Sequence, residues 1–170
     1  NNINNKEKLN KYLSKAGEDI QQVSESISDI VWNINPNYDK LGNLFIRMKR
    51  YAAEMMDNKN IDYKINFTEE VDNLSLEMDK RRNLYLLFKE AVNNLTKYSQ
   101  AKKVTMELFL KNNVLDLIIK DDGMGFDAAT TLMGNGLTNM KNRAAALNGH
   151  IEIKSSPGEG TNIHLNFPIT

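Results

Sequence analysis

A carboxylate followed at once by two glycines is the part of this sequence whose residue types point most directly to chemistry. Asp121 ends a run in which apolar and polar residues alternate, and Gly123 and Gly125 follow it. Successive side chains of a strand point to opposite faces, so Asp121 shares a face with the apolar residues Leu115, Leu117 and Ile119. A buried carboxylate needs hydrogen-bond donors, and glycines let the backbone approach a ligand closely. The stretch therefore predicts a pocket for a nucleotide base.

A second group of polar side chains lies on a predicted helix. Glu90 and Asn94 are four residues apart and share a face beside the apolar stripe, and Lys97 falls near the same edge. A carboxylate, a carboxamide and an ammonium group suit a magnesium–phosphate site, because Mg²⁺ prefers oxygen ligands and keeps several waters. Taken alone, the pair is more typical of a solvated helix edge, so both interpretations stay open at this point.

Two further glycines, Gly134 and Gly136, precede a helix that is predicted to begin at Leu137. Backbone N–H groups at a helix N-terminus bind phosphate, and glycines let the anion come close. The segment matches neither G-x-x-x-x-G-K-[ST] nor G-x-G-x-x-G, so it does not support the common P-loop and dinucleotide folds. A flexible loop before a helix is the alternative interpretation.

Thr161 begins the last predicted strand and has the same parity as the apolar residues Ile163, Leu165 and Phe167. Its hydroxyl therefore faces the layer that Asp121 faces. A β-branched residue at a strand start is common, so this residue alone is weak support. It is the conjunction of the four motifs in one order that favours a nucleotide site.

The overall composition excludes several other functions. Lysine plus arginine and aspartate plus glutamate both number 22, and this zero net charge argues against a general nucleic-acid binder. There is no cysteine, which excludes a disulfide framework and a thiolate zinc site. The longest apolar runs are too short to span a bilayer. The sequence opens abruptly without a methionine, so we expect a piece of a longer protein.

Hydrophobic periodicity predicts a helical arm followed by an α/β domain. Apolar residues recur at alternating spacings of four and three through residues 6–34, which is typical of a coiled coil, and Asn35-Pro36 ends this helix. The patterns after it predict helices near 39–56, 79–98 and 137–147, and strands near 61–67, 104–110, 114–120, 151–153 and 161–167. We expect an α+β fold, a two-layer α/β sandwich whose mixed sheet is covered by helices on one face, preceded by a long N-terminal coiled-coil helix.

The order of the motifs resembles the ATP-binding domain of the GHKL superfamily, with its Bergerat-type fold. This superfamily includes sensor histidine kinases, Hsp90 chaperones, type II topoisomerases and MutL proteins. The resemblance covers residues 38–170, and its four matching stretches are Glu90–Lys97 (the N box), Asp121–Phe126 and Gly134–Leu137 (the two glycine boxes), and Gly158–Thr161. The helix text Gly136–Arg143 is similar to the short-lid, nitrate-sensor-like branch of the histidine kinases.

The resemblance implies roles for individual residues. Asn94 would ligate Mg²⁺, Asp121 would accept from the adenine amino group, and Thr161 would join the water network around the base. Glu90 would act catalytically, by orienting a magnesium-bound water or assisting proton transfer. The remaining ATP-binding residues that it implies are Lys97, Tyr98, Gly123, Gly125, Gly134, Gly136 and Leu137. The N box of the family usually ends in Lys-His, whereas here Tyr98 follows Lys97.

The resemblance also implies a function, that of the catalytic, ATP-binding domain of a two-component sensor histidine kinase. Residues 37–170 would bind Mg-ATP, and residues 1–36 would be part of the second helix of the dimerisation hairpin. The γ-phosphoryl group would pass to a histidine and then to a response regulator. His150 and His164 lie in no acceptor motif, so we expect the acceptor upstream of Asn1 and no autophosphorylation by this chain alone.

The same resemblance implies the protein's surroundings. The expected partners are a response regulator and a second copy of the chain, bound through the N-terminal helix, with no nucleic acid and no direct membrane contact. The chain would be the cytoplasmic portion of a membrane-anchored sensor.

Two other functions remain open from the sequence. A GHKL serine kinase of the anti-sigma type would phosphorylate a protein partner, although a long heptad helix before the domain argues against it. A non-catalytic module that only dimerises through its sheet and helical arm would show no effect of nucleotide on its melting temperature.

Overall fold

The computed structural model describes residues 12–13, 15–17, 20, 23, 27, 40–71, 73–127 and 135–170. The chain divides into two compact units, Asn1–Pro36 and Asn37–Thr170. In the first unit every described residue is helical and exposed, including Leu13, Ile20, Val23 and Ile27, which are stripe residues, that is, apolar residues of the predicted heptad pattern. The helix predicted there is therefore present at the described positions, while the stripe residues Leu9, Ile30 and Ile34 lie outside them. Pairing of this helix into a coiled coil stays a prediction.

The second unit contains a five-stranded mixed sheet. Its strands lie in the order β1-β2-β3-β5-β4, with β1 and β2 parallel and the other neighbours antiparallel. The strands are β1 Asp62–Phe67, β2 Lys103–Lys111, β3 Val114–Asp121, β4 His150–Ser155 and β5 Thr161–Pro168. A tight turn through Asn112 and Asn113, both with positive φ, joins β2 to β3.

Three helices cover one face of this sheet, as the sequence predicts. They are α1 Leu41–Asp57, α2 Met78–Asn94 and α3 Asn135–Ala146. Rings from α1, β1 and α2 meet edge-to-face in the core, with Phe67 centred 5.8 Å from Phe45 and 6.2 Å from Phe88. On the covered face Met106 and Leu117 of the central strands are buried, whereas Thr105 and Glu107 on the opposite face are exposed. The α/β sandwich is confirmed.

The register of the strands places polar side chains in one row at the end of the covered face. Asp121 pairs with Val104 on one side and with Thr161 on the other, and Thr161 pairs with Ser155. The adjacent row consists of Met106, Ile119, Ile163 and Ile153. A polar edge therefore borders an apolar floor within the same sheet.

The third predicted helix, 79–98, differs from the structure at its end. The α-helical hydrogen bonding stops at Asn94, and a π-helical turn, Leu95–Ser99, follows it. Gln100 then adopts a left-handed conformation, with φ of 53°, which ends the helix. A π turn adds a residue to the helical repeat and so changes which side chains face the sheet.

Candidate functional site

A cavity of about 740 Å³ opens between α2, α3 and the polar end of the sheet, a volume typical of small-molecule sites. Eight of the residues that the sequence singles out line it: Glu90, Asn94, Tyr98, Asp121, Gly125, Gly136, Leu137 and Thr161. The apolar residues that line it are Ala91, Leu95, Ile119, Met124, Phe126, Met140, Ile153 and Ile163. Residues from the four separate motifs thus lie around one space.

Asp121 forms the polar end of the cavity. It is only 6% exposed, and its Oδ1 accepts a hydrogen bond of 2.8 Å from the backbone N–H of Gly123. Burial raises the pKa of Asp121, while the backbone N–H groups of Gly123 and Thr161 act in the opposite direction. The fixed N–H donors keep this carboxylate in place at the cavity wall, where it presents acceptor oxygens to a ligand.

The neighbouring carboxylate has a different role. Asp122 is exposed, and its Oδ1 accepts from the backbone N–H groups of Lys102 and Lys103, both at 2.8 Å. These two hydrogen bonds lower the pKa of Asp122. They fasten the end of β3 to the start of β2, so Asp122 supports the strand end that carries Asp121.

Gly123 allows the chain after β3 to pass against the π-helical turn. A Cβ at this position would overlap the backbone carbonyl of Ser99 and lie 2.8 Å from Asp121 Oδ1. Ser99 O also accepts from the N–H of Met124 at 2.7 Å. A side chain at position 123 would therefore have to displace backbone and not a flexible side-chain end.

The other end of the cavity is formed by Glu90 and Asn94. Asn94 Nδ2 lies 3.2 Å from Glu90 Oε1, and donation to this carboxylate fixes which way the amide points. The amide oxygen of Asn94 is thereby left as an acceptor for a cation. A Cβ on Gly136 would overlap Glu90 Oε1 and come within 3.1 Å of Asn94 Nδ2. The absence of a side chain at Gly136 thus lets the N-terminal turn of α3 lie directly against this pair.

The donor set fits magnesium only in company with an anionic ligand. Among the residues that the structure describes, no group of three or more histidine, aspartate or glutamate side chains could hold a metal ion by itself. One amide oxygen and one nearby carboxylate match Mg²⁺, which is commonly bound by one or two protein groups together with substrate phosphates. The helix N-terminus at Gly136 lies beside the same groups and attracts phosphate.

The π-helical turn separates two adjacent residues that the sequence groups together. Tyr98 lines the mouth of the cavity and is 68% exposed. Lys97 is exposed and lies outside the set of described residues that line the cavity. Gly123 supports the wall without lining it, and Gly134 lies outside the described residues.

Sequence reasoning missed several residues of this site. Ser99 and Phe126 line the cavity, and Ser155 contacts Thr161 from behind. Ser155 has the parity of Ile151 and Ile153, so extending the alternation of that strand by one step would have found it. No local pattern identifies Ser99, because the π-helical turn brings it to the cavity.

The family of histidine kinase-, DNA gyrase B-, and HSP90-like ATPases matches residues 79–170, which is more than half of the chain. The chain belongs to this ATPase family. The match includes the four motifs that surround the cavity, so these motifs lie within the part of the chain that matches the family.

Two similar proteins within this family are sensor histidine kinases. The sensor histidine kinase LiaS of Bacillus subtilis is 30% identical over 123 residues, which are 72% of this chain and 34% of LiaS. The sensor histidine kinase ComP of the same organism is 38% identical over 89 residues, which are 51% of this chain and 12% of ComP. The chain thus spans about a third or less of these relatives. Both are sensor histidine kinases, so the anti-sigma type of serine kinase is not favoured.

The fold agrees with solved histidine kinase domains. The histidine kinase domain of the Erythrobacter litoralis EL346 blue-light activated histidine kinase superposes with a TM-score of 0.64 at 15% identity. The match covers 74% of this chain and 61% of that domain. In the part of the chain that the structure describes, no helix is long and apolar enough to cross a membrane.

Proposed function

We propose that this chain is the ATP-binding catalytic domain of a two-component sensor histidine kinase. The observation that carries the proposal is one cavity with two chemically distinct ends. Hydrogen-bond acceptors and an apolar floor lie at one end, and the Glu90–Asn94 pair lies beneath a helix N-terminus at the other. A nucleoside triphosphate has the matching parts, a flat base with an amino group and a magnesium-bound polyphosphate.

The geometry supports a specific orientation of Mg-ATP. The adenine base would lie on the apolar floor with its amino group towards Asp121, and Thr161 would complete the polar end. Asn94 would hold Mg²⁺ through its amide oxygen, with the phosphates near the N-terminal turn of α3 at Gly136 and Leu137. Gly125 would give the backbone its close approach to the nucleotide, and Gly123 would let the chain that carries Asp121 pack against Ser99. A nucleotide contact at Gly134 stays a prediction.

Glu90 is the residue that we propose as catalytic. Its carboxylate fixes the Asn94 amide and lies at the phosphate end of the cavity, where it would orient a magnesium-bound water or assist proton transfer. Phosphoryl transfer relies mainly on positioning and charge neutralisation, so a short set of residues is adequate. Lys97 would act only as a long-range positive charge, and Tyr98 would pack at the cavity mouth.

The phosphoryl acceptor would lie outside these 170 residues. His150 and His164 are both on strands, and His164 Nε2 is 2.7 Å from Asp116 Oδ1 on the face of the sheet opposite the cavity. Neither residue lines the cavity formed by the described residues. We propose that a histidine on a preceding helix receives the γ-phosphoryl group and that a response-regulator aspartate takes it next.

The same proposal gives residues 1–36 a role in dimerisation and the domain a place in the cell. Residues 1–36 would be part of the dimerisation hairpin and pair with a second copy, which would cover the exposed apolar residues Leu13, Ile20, Val23 and Ile27. The domain would work at the cytoplasmic side of a membrane-anchored sensor and would not bind nucleic acid.

A phosphorylation assay tests this function. The longer parent protein, incubated with Mg-ATP labelled on the γ-phosphate, should acquire a label that is lost in acid and retained in alkali, as expected for phosphohistidine. The 170-residue chain alone should remain unlabelled. An acid-stable label on the parent protein or on a co-purified partner would contradict the proposal and favour the serine kinase.

A further inference from the structure

Ser155, the last residue of β4, lies behind the polar end of the cavity and joins three parts of its wall. Its Oγ accepts from the backbone N–H of Phe126 at 2.9 Å and lies 2.9 Å from the carbonyl oxygen of Gly160. The same atom is 3.0 Å from Thr161 Oγ1. Ser155 is outside the set of described residues that line the cavity.

The protons in this cluster can be assigned by counting donors. A serine hydroxyl has one proton to donate and two lone pairs to accept with. The carbonyl oxygen of Gly160 can only accept, so Ser155 donates its one hydroxyl proton to it. The N–H of Phe126 occupies one lone pair of Ser155 Oγ. The remaining lone pair can only accept, so Thr161 is the donor in the contact between the two hydroxyls.

This assignment determines what Thr161 offers to the cavity. Since its proton is directed at Ser155, Thr161 Oγ1 presents lone pairs alone to a ligand. Asp121, its partner across the β3–β5 pair, also presents acceptor oxygens. The polar end of the cavity is therefore made of acceptors and selects a ligand atom that donates.

We propose that Ser155 is a positioning residue for nucleotide selectivity. By accepting the Thr161 proton, it keeps the Thr161 hydroxyl as an acceptor towards the cavity, and the cavity then prefers a 6-amino purine. An exocyclic amino group, directly or through a water that it orders, provides the donors that the acceptors require. A purine without this group leaves the same oxygens without a donor from the base. The inference rests on the proposed ATP-binding function and adds a residue to it.

A purely structural role for Ser155 makes a different prediction. If Ser155 only fastens the turn between β4 and β5, its loss weakens the binding of every nucleotide alike. If it acts through Thr161, its loss weakens the binding of ATP but not that of purine ribonucleoside triphosphate, which carries hydrogen in place of the 6-amino group. The ratio of the two dissociation constants therefore separates the two roles.

The experiment measures Mg-ATP and magnesium–purine ribonucleoside triphosphate binding by calorimetry in the 170-residue chain. Ser155→Ala should lose about threefold to tenfold in ATP affinity, as expected for one hydrogen bond. Its affinity for the triphosphate that lacks the amino group should change by less than about twofold, because the altered hydrogen bond is not used by that ligand. Ser156→Ala is the matched control, since the adjacent serine is exposed and its substitution should leave both affinities unchanged.

A second variant makes the test independent of the folding of the first. Thr161→Val removes the hydroxyl and keeps the branched shape, so it should lower the ATP preference by itself. In the Thr161→Val background, Ser155→Ala should produce no further loss of preference. An equal loss for both nucleotides in Ser155→Ala, an unchanged preference in Thr161→Val, or additive effects in the double variant would overturn the proposal. Absence of Mg-ATP binding in the wild type would instead overturn the proposed function itself.

Discussion

Replacing Gly136 by alanine is expected to separate the stability of this domain from its ability to bind Mg-ATP. The new Cβ would overlap Glu90 Oε1 and lie 3.1 Å from Asn94 Nδ2. The carboxylate is the end of a flexible side chain, so it can rotate away without moving the backbone. Gly136 lies within helix α3 and is not among the residues with positive φ, so alanine is compatible with its backbone.

Two opposite effects follow from this substitution. Alanine in place of glycine within a helix stabilises the fold by about 0.5–1 kcal/mol, which offsets the cost of moving the Glu90 side chain. The displaced carboxylate no longer accepts from Asn94 Nδ2 at 3.2 Å, so the magnesium-binding amide loses its fixed orientation. A hydrogen bond to a charged group contributes about 1.5–3 kcal/mol. The lower value corresponds to about a tenfold loss of Mg-ATP affinity.

Calorimetric titration with ATP, in the presence of Mg²⁺ and then of a chelator, measures this effect, and a melting curve measures stability. We expect the Gly136→Ala loss to be larger with Mg²⁺ than without it, at an unchanged or higher melting temperature. Gly17→Ala is the control, since Gly17 is a helical glycine whose added Cβ would meet nothing within 4 Å. Wild-type Mg-ATP affinity in Gly136→Ala would refute the role given to the Glu90–Asn94 pair.

Three further substitutions test other parts of the structure. Burial raises the pKa of Asp121, so the folded state holds this proton more tightly than the unfolded chain. The free energy of unfolding in urea should therefore rise in the wild type, relative to Asp121→Asn, as the pH falls through the raised pKa towards the ordinary value of 3.8. A difference between the two proteins that does not depend on pH would contradict this. Tyr51→Phe removes a 2.7 Å hydrogen bond from Tyr51 to Asn93 between α1 and α2. It should cost about 0.5–1.5 kcal/mol of stability without changing the Kd for Mg-ATP, and a weaker Kd would show that Asn93 matters for the cavity. Lys97→Met should change that Kd by less than about threefold at physiological salt, where exposed charges are screened, and a larger, salt-independent loss would place Lys97 in direct contact with the nucleotide.

The sequence predicts the structure best where the regular spacing of a strand or helix determines which face of the element a residue lies on. The alternation of β3 continues as far as Asp121, and the observed pairing with Thr161 follows from the same parity argument applied to β5. The sandwich and its covered face follow from alternation in the strands and apolar stripes in the helices. The roles assigned to the site residues stay predictions until binding is measured.

Other features depend on contacts that no local pattern contains. Leu95 continues the apolar stripe of α2, so the periodicity gave no sign that α-helical bonding ends at Asn94 and that Lys97 is displaced from the cavity. The approach of Gly136 to Glu90 joins residues distant in the sequence, and it becomes visible only when α2 and α3 pack side by side. The alternation of Ile151 and Ile153 extends to Ser155, but the contact of Ser155 with Thr161 becomes visible only when β4 and β5 pair.

The central claim, that the cavity is a Mg-ATP site whose base end is Asp121, is tested most directly by titrating ATP into three proteins with and without Mg²⁺. We expect saturable, magnesium-dependent binding in the wild type and a loss of at least about tenfold in Asp121→Ala, which removes a buried hydrogen-bonding carboxylate. Asp122→Ala should lose less than about threefold, because that carboxylate bonds to the N–H groups of Lys102 and Lys103 and supports the strand end without lining the cavity. No magnesium-dependent binding in the wild type, or an unchanged affinity in Asp121→Ala, would contradict the claim.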